Sequence, residues 1–133
     1  MSDKVNILVV EDEPGVSMVI VHLLTRAGCD VATAWNSQKG IKLAQANNFD
    51  LITLDIDMPE ASGFSVCETL KEDPRLSHTP VVFVTAWPSD ADRRHAFELG
   101  AVDYIIKPFE ATDFIYRIIS YARRMGNVCE TNS

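Results

Sequence analysis

Five side chains carry the chemistry that can be read from this chain. Glu11 and Asp12 follow the apolar run Val5–Val10, Asp55 follows Asp50–Leu54, Thr85 follows Pro80–Val84, and Lys107 follows Val102–Ile106. Three carboxylates brought together repel: a pair about 4 Å apart costs roughly 4 kcal/mol at an effective dielectric of 20. A protein keeps such a cluster by raising a pKa or by holding a cation. Lys107 supplies one positive charge against three negatives, whereas a hard divalent ion with oxygen ligands would balance them. Magnesium suits such a site, because it takes few protein carboxylates and completes its shell with water and phosphate oxygens. With the metal in place a carboxylate can attack phosphorus, giving an aspartyl phosphate. That chemistry also needs a cation and a hydroxyl on the phosphoryl oxygens, which Lys107 and Thr85 can supply. Asp55 is the best-placed acceptor, since it ends a central apolar strand and precedes the turn-rich Met58-Pro59-Glu60-Ala61-Ser62-Gly63.

Strands and helices must bring these residues together. Short β-branched runs are expected at Val5–Val10, Asp30–Ala34, Asp50–Leu54, Pro80–Val84 and Val102–Ile106. Several are apolar almost throughout, as strands buried on both faces of a parallel sheet should be. Helices are expected at Pro14–Ala27, Asn36–Asn47, Gly63–Asp73, Ser89–Leu99 and Glu110–Met125. The first carries Val16, Val19, Ile20, Leu23 and Leu24 on one stripe, with Pro14 in its first turn and Gly28 at its stop. Ser89-x-x-Asp92 resembles a capping box. Five strand–helix repeats predict a doubly wound α/β domain, a parallel five-stranded sheet with helices on both faces. In such sheets ligands bind outside the carboxyl ends of the strands, where strand order reverses. The second strand ends in Ala34-Trp35 with nothing ionisable, so it is expected at an edge. Residues 1–125 make one domain, and 126–133 are expected to be a flexible C-terminal tail.

The chain has 133 residues, a net charge of −7 and a mean hydropathy of +0.01. Such a length fits one ordinary domain. Residues 1–60 carry nine acidic and four basic side chains, a surface that a nucleic-acid backbone would repel, so direct nucleic-acid binding is not expected. Cys29, Cys67 and Cys129 are odd in number, far apart and without a CxxC pair, which reads as reduced thiols in a cytoplasmic protein. Nothing resembles a membrane span or secretory signal. His22, His78 and His95 lack metal-ligand spacing, and Cys67 falls on an apolar helical stripe expected in the core.

Glu11-Asp12, Leu54-Asp55-Ile56-Asp57-Met58-Pro59 with Gly63 following, Val84-Thr85-Ala86, Gly100-Ala101-Val102-Asp103-Tyr104 and Lys107-Pro108-Phe109 occur in that order, each at a strand end. Over about residues 5–124 the chain resembles the receiver domains of two-component response regulators. The resemblance implies a CheY-like, flavodoxin-like three-layer sandwich with strand order 2-1-3-4-5. It implies that Asp55 is the phospho-acceptor, Asp12 the direct magnesium ligand, Glu11 its water-mediated companion, and Asp57 the donor of a backbone carbonyl to the metal. Thr85 would be the hydroxyl that moves onto the phosphoryl group, Lys107 its cation, and Tyr104 an aromatic switch. Lys107-Pro108 resembles the family's usual cis peptide. Trp87 is bulky where the family varies, and as a gate it would restrict attacking water and lengthen the phosphoryl lifetime.

The implied protein is a stand-alone signalling switch rather than an enzyme with an external substrate. It would take its phosphoryl group from a sensor histidine kinase or a phosphotransfer protein. It would act on a downstream protein through the fourth helix, fifth strand and fifth helix, as a monomer or weak dimer away from membranes. Arg93, Arg94, Arg117, Arg123 and Arg124 form either a partner surface or a solvated face there. Asp55-x-Asp57 also resembles the nucleophile pair of haloacid-dehalogenase-type phosphatases, but Pro59 occupies the slot where they carry Thr or Val. A flavodoxin-like flavin module would need a Ser/Thr/Gly-rich phosphate loop after strand one, where Glu11-Asp12-Glu13-Pro14 would repel phosphate. A pure docking module that never turns over phosphate remains a fourth reading, and the complete site residues weigh against it.

Overall fold

The computed structural model of the chain describes residues 4–131, with side chains described for 4–123. The elements alternate as expected: β1 (Asn6–Val10), α1 (Pro14–Arg26), β2 (Asp30–Ala34), α2 (Ser37–Ala46), β3 (Leu51–Leu54), α3 (Gly63–Glu72), β4 (Val81–Thr85), α4 (Asp90–Glu98), β5 (Asp103–Ile106) and α5 (Ala111–Thr131). All strands pair in parallel in the order β2-β1-β3-β4-β5. Order reverses between β1 and β3, where Val10 lies opposite Leu54 and both strands point their carboxyl ends at one rim.

Each central strand feeds two cores, because successive side chains leave opposite faces of a sheet. Leu8, Val10, Ile52, Leu54 and Phe83 face α2, α3 and α4, meeting Ala44, Val66, Leu70 and Ala96. Ile7, Val9, Leu51, Val82, Val84 and Ile105 face α1 and α5, meeting Ile20, Leu24, Phe114 and Ile118. Cys67 is fully buried in the first of these cores, as its stripe predicts.

Local chemistry sets the helix ends. Pro14 opens α1, and Gly28 adopts φ 97° directly after it, a left-handed conformation that glycine takes without a Cβ penalty. Asn36 caps α2 by accepting from the Lys39 N–H at 2.8 Å, and Ser89 caps α4 by accepting from the Asp92 N–H at 3.2 Å. Two expectations change. Val19 leaves the core stripe of α1 and is 52% exposed, because this edge of the helix faces the open cleft at the sheet rim. The fifth helix runs on to Thr131 rather than stopping at Met125, so 126–131 of the expected tail are helical. Gly126 costs a helix only about 1 kcal/mol relative to alanine, and no proline interrupts the stretch. Residues 132 and 133 lie outside the described residues. Among the described residues no helix is long and apolar enough to cross a membrane.

Candidate functional site at the carboxyl rim of the sheet

Parallel strands deliver the polar residues to one rim, and backbone bonds between neighbouring strand ends hold them there. The Glu11 N–H donates to the Ala34 carbonyl at 3.0 Å, the Asp55 N–H to the Val10 carbonyl at 3.0 Å, and the Lys107 N–H to the Thr85 carbonyl at 2.8 Å. The peptide between Lys107 and Pro108 is cis, as the resemblance implies. Past β3 the chain turns back at once, with the Gly63 N–H donating to the Ile56 carbonyl at 2.8 Å. That return brings α3 so close that a Cβ on Gly63 would lie 2.1 Å from the Asp55 carbonyl oxygen.

The three carboxylates converge. Glu11, Asp12 and Asp55 each offer one oxygen, all within 4.8 Å of one another. Lys107 Nζ lies 2.9 Å from Glu11 Oε1 and 3.8 Å from Asp55 Oδ1. The second Glu11 oxygen, Oε2, accepts the Glu13 N–H at 3.2 Å. Glu11 therefore holds the lysine and the turn after β1 together, and it is almost completely buried. Asp55 is also buried, but it borders an open cleft of about 500 Å³ lined by Asp12, Asp57, Val19, Trp87 and Phe109.

Burial and the neighbouring Glu11 carboxylate push the Asp55 carboxyl up to about 8, although Lys107 pulls it down. One ammonium thus leaves the cluster short of positive charge. The donors are all oxygen, closely spaced and open to solvent on one side, which fits a hard divalent cation that keeps part of its water shell.

The remaining expected residues are placed less directly. Asp57 is exposed on the cleft wall. Thr85 is buried at the end of β4, and its Oγ accepts the Trp87 N–H at 3.2 Å. Tyr104 is buried, and its hydroxyl donates to the Trp87 carbonyl at 3.4 Å. The Trp87 backbone therefore joins the two expected switch residues, its N–H bonding one and its carbonyl the other, while its ring stays 71% exposed at the cleft mouth. Arg117 is engaged within the domain, with Nη1 3.2 Å from Asp103 and Nε 3.1 Å from Asp113. The Arg124 side chain lies outside the described ones.

One feature takes a different place from the one its spacing implies, and another had none in the sequence reading. Val19 changes from a core position to a cleft wall. Ser37 reaches across from α2 to the loop after Asp55, donating to the Ala61 carbonyl at 2.5 Å. Asn36-Ser37, two capping residues in succession where a helix needs one, was the available signal.

Comparison with known proteins agrees with this geometry. A family model described as the response regulator receiver domain matches residues 7–119. The chain is 36% identical over 122 residues to the DNA-binding dual master transcriptional regulator RpaA of Synechocystis, covering 92% of this chain and 51% of that protein. It is 36% identical over 132 residues to the transcriptional regulatory protein YvrH of Bacillus subtilis, covering 98% of this chain and 54% of that one. The chain thus spans about half the length of the curated relatives it matches. Among solved structures, a putative response regulator from Chloroflexus aurantiacus superposes with a TM-score of 0.87 at 26% identity, covering 91% of this chain and 99% of that one.

Proposed function

This chain belongs to the response regulator receiver domain family, and from that premise we propose that Asp55 accepts a phosphoryl group and that the domain switches a partner in response. The observation that carries the reading is the meeting of Glu11, Asp12 and Asp55 within 4.8 Å, with Lys107 Nζ 3.8 Å from Asp55, at the wall of an open cleft. The donor is a phosphohistidine on a sensor kinase or phosphotransfer protein. An Asp55 oxygen forms the new P–O bond, the P–N bond breaks, and its electrons leave with the imidazole. Asp12, Asp55 and the Asp57 main-chain carbonyl would hold magnesium, with Glu11 behind them. Bound magnesium supplies the positive charge that lets Asp55 stay ionised beside an incoming phosphoryl group. Lys107 pairs with the phosphoryl oxygens, and Thr85 turns from the Trp87 N–H onto them. Tyr104, tied to the carbonyl of the same residue, Trp87, passes that movement to β5. The output surface is the α4–β5–α5 face, where Phe97, Ile106 and Tyr116 are exposed. The domain works in the cytoplasm as a monomer or weak dimer. It turns over only its own acyl phosphate, and any full-length relative's DNA binding lies outside this domain's chemistry.

Acetyl phosphate and magnesium should add one phosphoryl mass to the folded protein, and no adduct under those conditions would remove the reading. A second expectation follows from the acid cluster. A carboxyl held near 8 must lose its proton before an ion can bind. Magnesium affinity should therefore rise with pH up to about 8, with close to one proton released per ion. Calorimetry in buffers of different ionisation enthalpy counts that proton, and pH-independent affinity would contradict the protonated state of Asp55. Trp87 sets the third. If its ring shields the acyl phosphate, Trp87→Ala should hydrolyse it about threefold faster, well under 1 kcal/mol of barrier. Unchanged decay would remove the gate.

A further inference from the structure

We infer that Ser37 is a positioning residue for the acceptor loop, its buried hydroxyl holding residues 56–62 where Asp57 can border the site. The inference rests on Asp55 being the acceptor and names a residue outside the rim cluster that sets its geometry.

Ser37 opens α2 and is 2% exposed. A buried hydroxyl needs a partner, and helix capping does not supply it here, because Asn36 already caps α2. Instead Ser37 Oγ donates to the Ala61 carbonyl, 24 residues away. Among the described residues this is the one hydrogen bond that the 56–62 loop receives from a side chain of another element. The loop's own ties are short-range: Gly63 N–H to the Ile56 carbonyl, and Ala61 N–H to the Pro59 carbonyl at 2.9 Å. Between them Glu60 sits at φ 75°, a left-handed conformation that costs a non-glycine residue about 1 kcal/mol or more. Such a conformation persists only where its surroundings over-determine it. The Ser37 bond fixes the neighbouring peptide, Ala61, and so holds the bend in place. The same bend carries Asp57, which lines the cleft with Asp12 and Asp55.

Without the bond the loop would keep its neck at Gly63 but lose its far anchor. Asp57 would then sample positions away from the cleft, and ion binding would have to order it again.

Ser37→Ala and Asn36→Ala make the decisive pair. The second removes the cap of the same helix but leaves the loop tie intact. In the metal-free protein, exchange of the Ala61 amide, which is bonded to the Pro59 carbonyl at 2.9 Å inside the tied bend, should accelerate about tenfold in Ser37→Ala, the worth of one hydrogen bond. Magnesium affinity by calorimetry should fall several-fold in the same variant. Asn36→Ala should lower the melting temperature without either change. Unchanged loop exchange in Ser37→Ala overturns the inference, as do equal effects of Asn36→Ala on both readouts. If wild type binds no magnesium, the acceptor reading fails and takes the inference with it, whereas wild-type binding that Ser37→Ala leaves undiminished refutes Ser37 alone.

Discussion

Asp55→Asn should take up no phosphoryl group from acetyl phosphate and magnesium, and, freed of divalent ions and held above about pH 8, it should melt at a higher temperature than wild type. The two effects have one cause. Asp55 is buried beside Glu11, so ionising it in the folded protein is costly, and its carboxyl is pushed up to about 8. In the unfolded chain the same carboxyl ionises near pH 4. Between about pH 4 and pH 8 the folded protein therefore binds a proton that the unfolded chain has lost. Wild-type stability from this group is full below about pH 4, falls as pH rises through that window, and is lost above about 8. The cost reaches the order of several kcal/mol at the alkaline end, and asparagine, which never ionises, escapes it. The advantage of the variant should shrink as pH falls toward 5, and magnesium should stabilise wild type more than the variant. Thermal melts with and without a chelator at several pH values check all three. A variant less stable than wild type at alkaline pH without metal would show that the carboxylates do not repel as their spacing requires.

Gly63→Ala should be the most damaging small substitution in the domain. The added methyl would lie 2.1 Å from the Asp55 carbonyl oxygen, 3.0 Å from its carbon and 3.1 Å from the Ile56 Cα. All three are backbone atoms, so no side chain can rotate out of the way. Either α3 retreats and uncovers Val66 and Cys67, or the peptide after the acceptor turns and moves Asp55. Overpacking of this kind costs roughly 3 kcal/mol or more, which for a domain of this size lowers the melting temperature by about 10 °C. Gly40→Ala is the milder comparison, because its methyl meets the Val10 side chain at 2.9 and 3.0 Å and those methyls can adjust. At Gly15 an added methyl meets nothing within 4 Å, so alanine there should be neutral or slightly stabilising. Melts of the three variants check the order, and a Gly63→Ala protein as stable as Gly40→Ala would mean that α3 does not press on the acceptor peptide.

The elements were largely legible before any coordinates. Runs of five or six residues gave β1 to β5 within a residue, most clearly for β3 and β4, because strands buried on both faces have few polar positions to blur them. Capping residues placed the starts of α2 and α4 for an equally local reason. What failed was less local. Val19 has the spacing of a core residue, but whether that edge of α1 meets sheet or solvent depends on where the cleft at the rim opens. The end of α5 was misjudged because one glycine is a weak stop where no proline follows.

Residue type and order alone established that acids, a hydroxyl and a lysine stand at the ends of successive strands, and parallel pairing then sends strand ends to a common rim. Only the folded molecule decided their distances, and so which are bonded. Glu11 holds Lys107 at 2.9 Å, closer than Asp55 does at 3.8 Å, and Thr85 is held by the Trp87 N–H rather than by the acceptor. Ser37 meets Ala61 because α2 and the β3–α3 loop flank one seam of the sheet. Periodicity records which face a residue joins, whereas a hydrogen bond depends on tenths of an ångström between chain segments far apart in sequence, and those are set by packing.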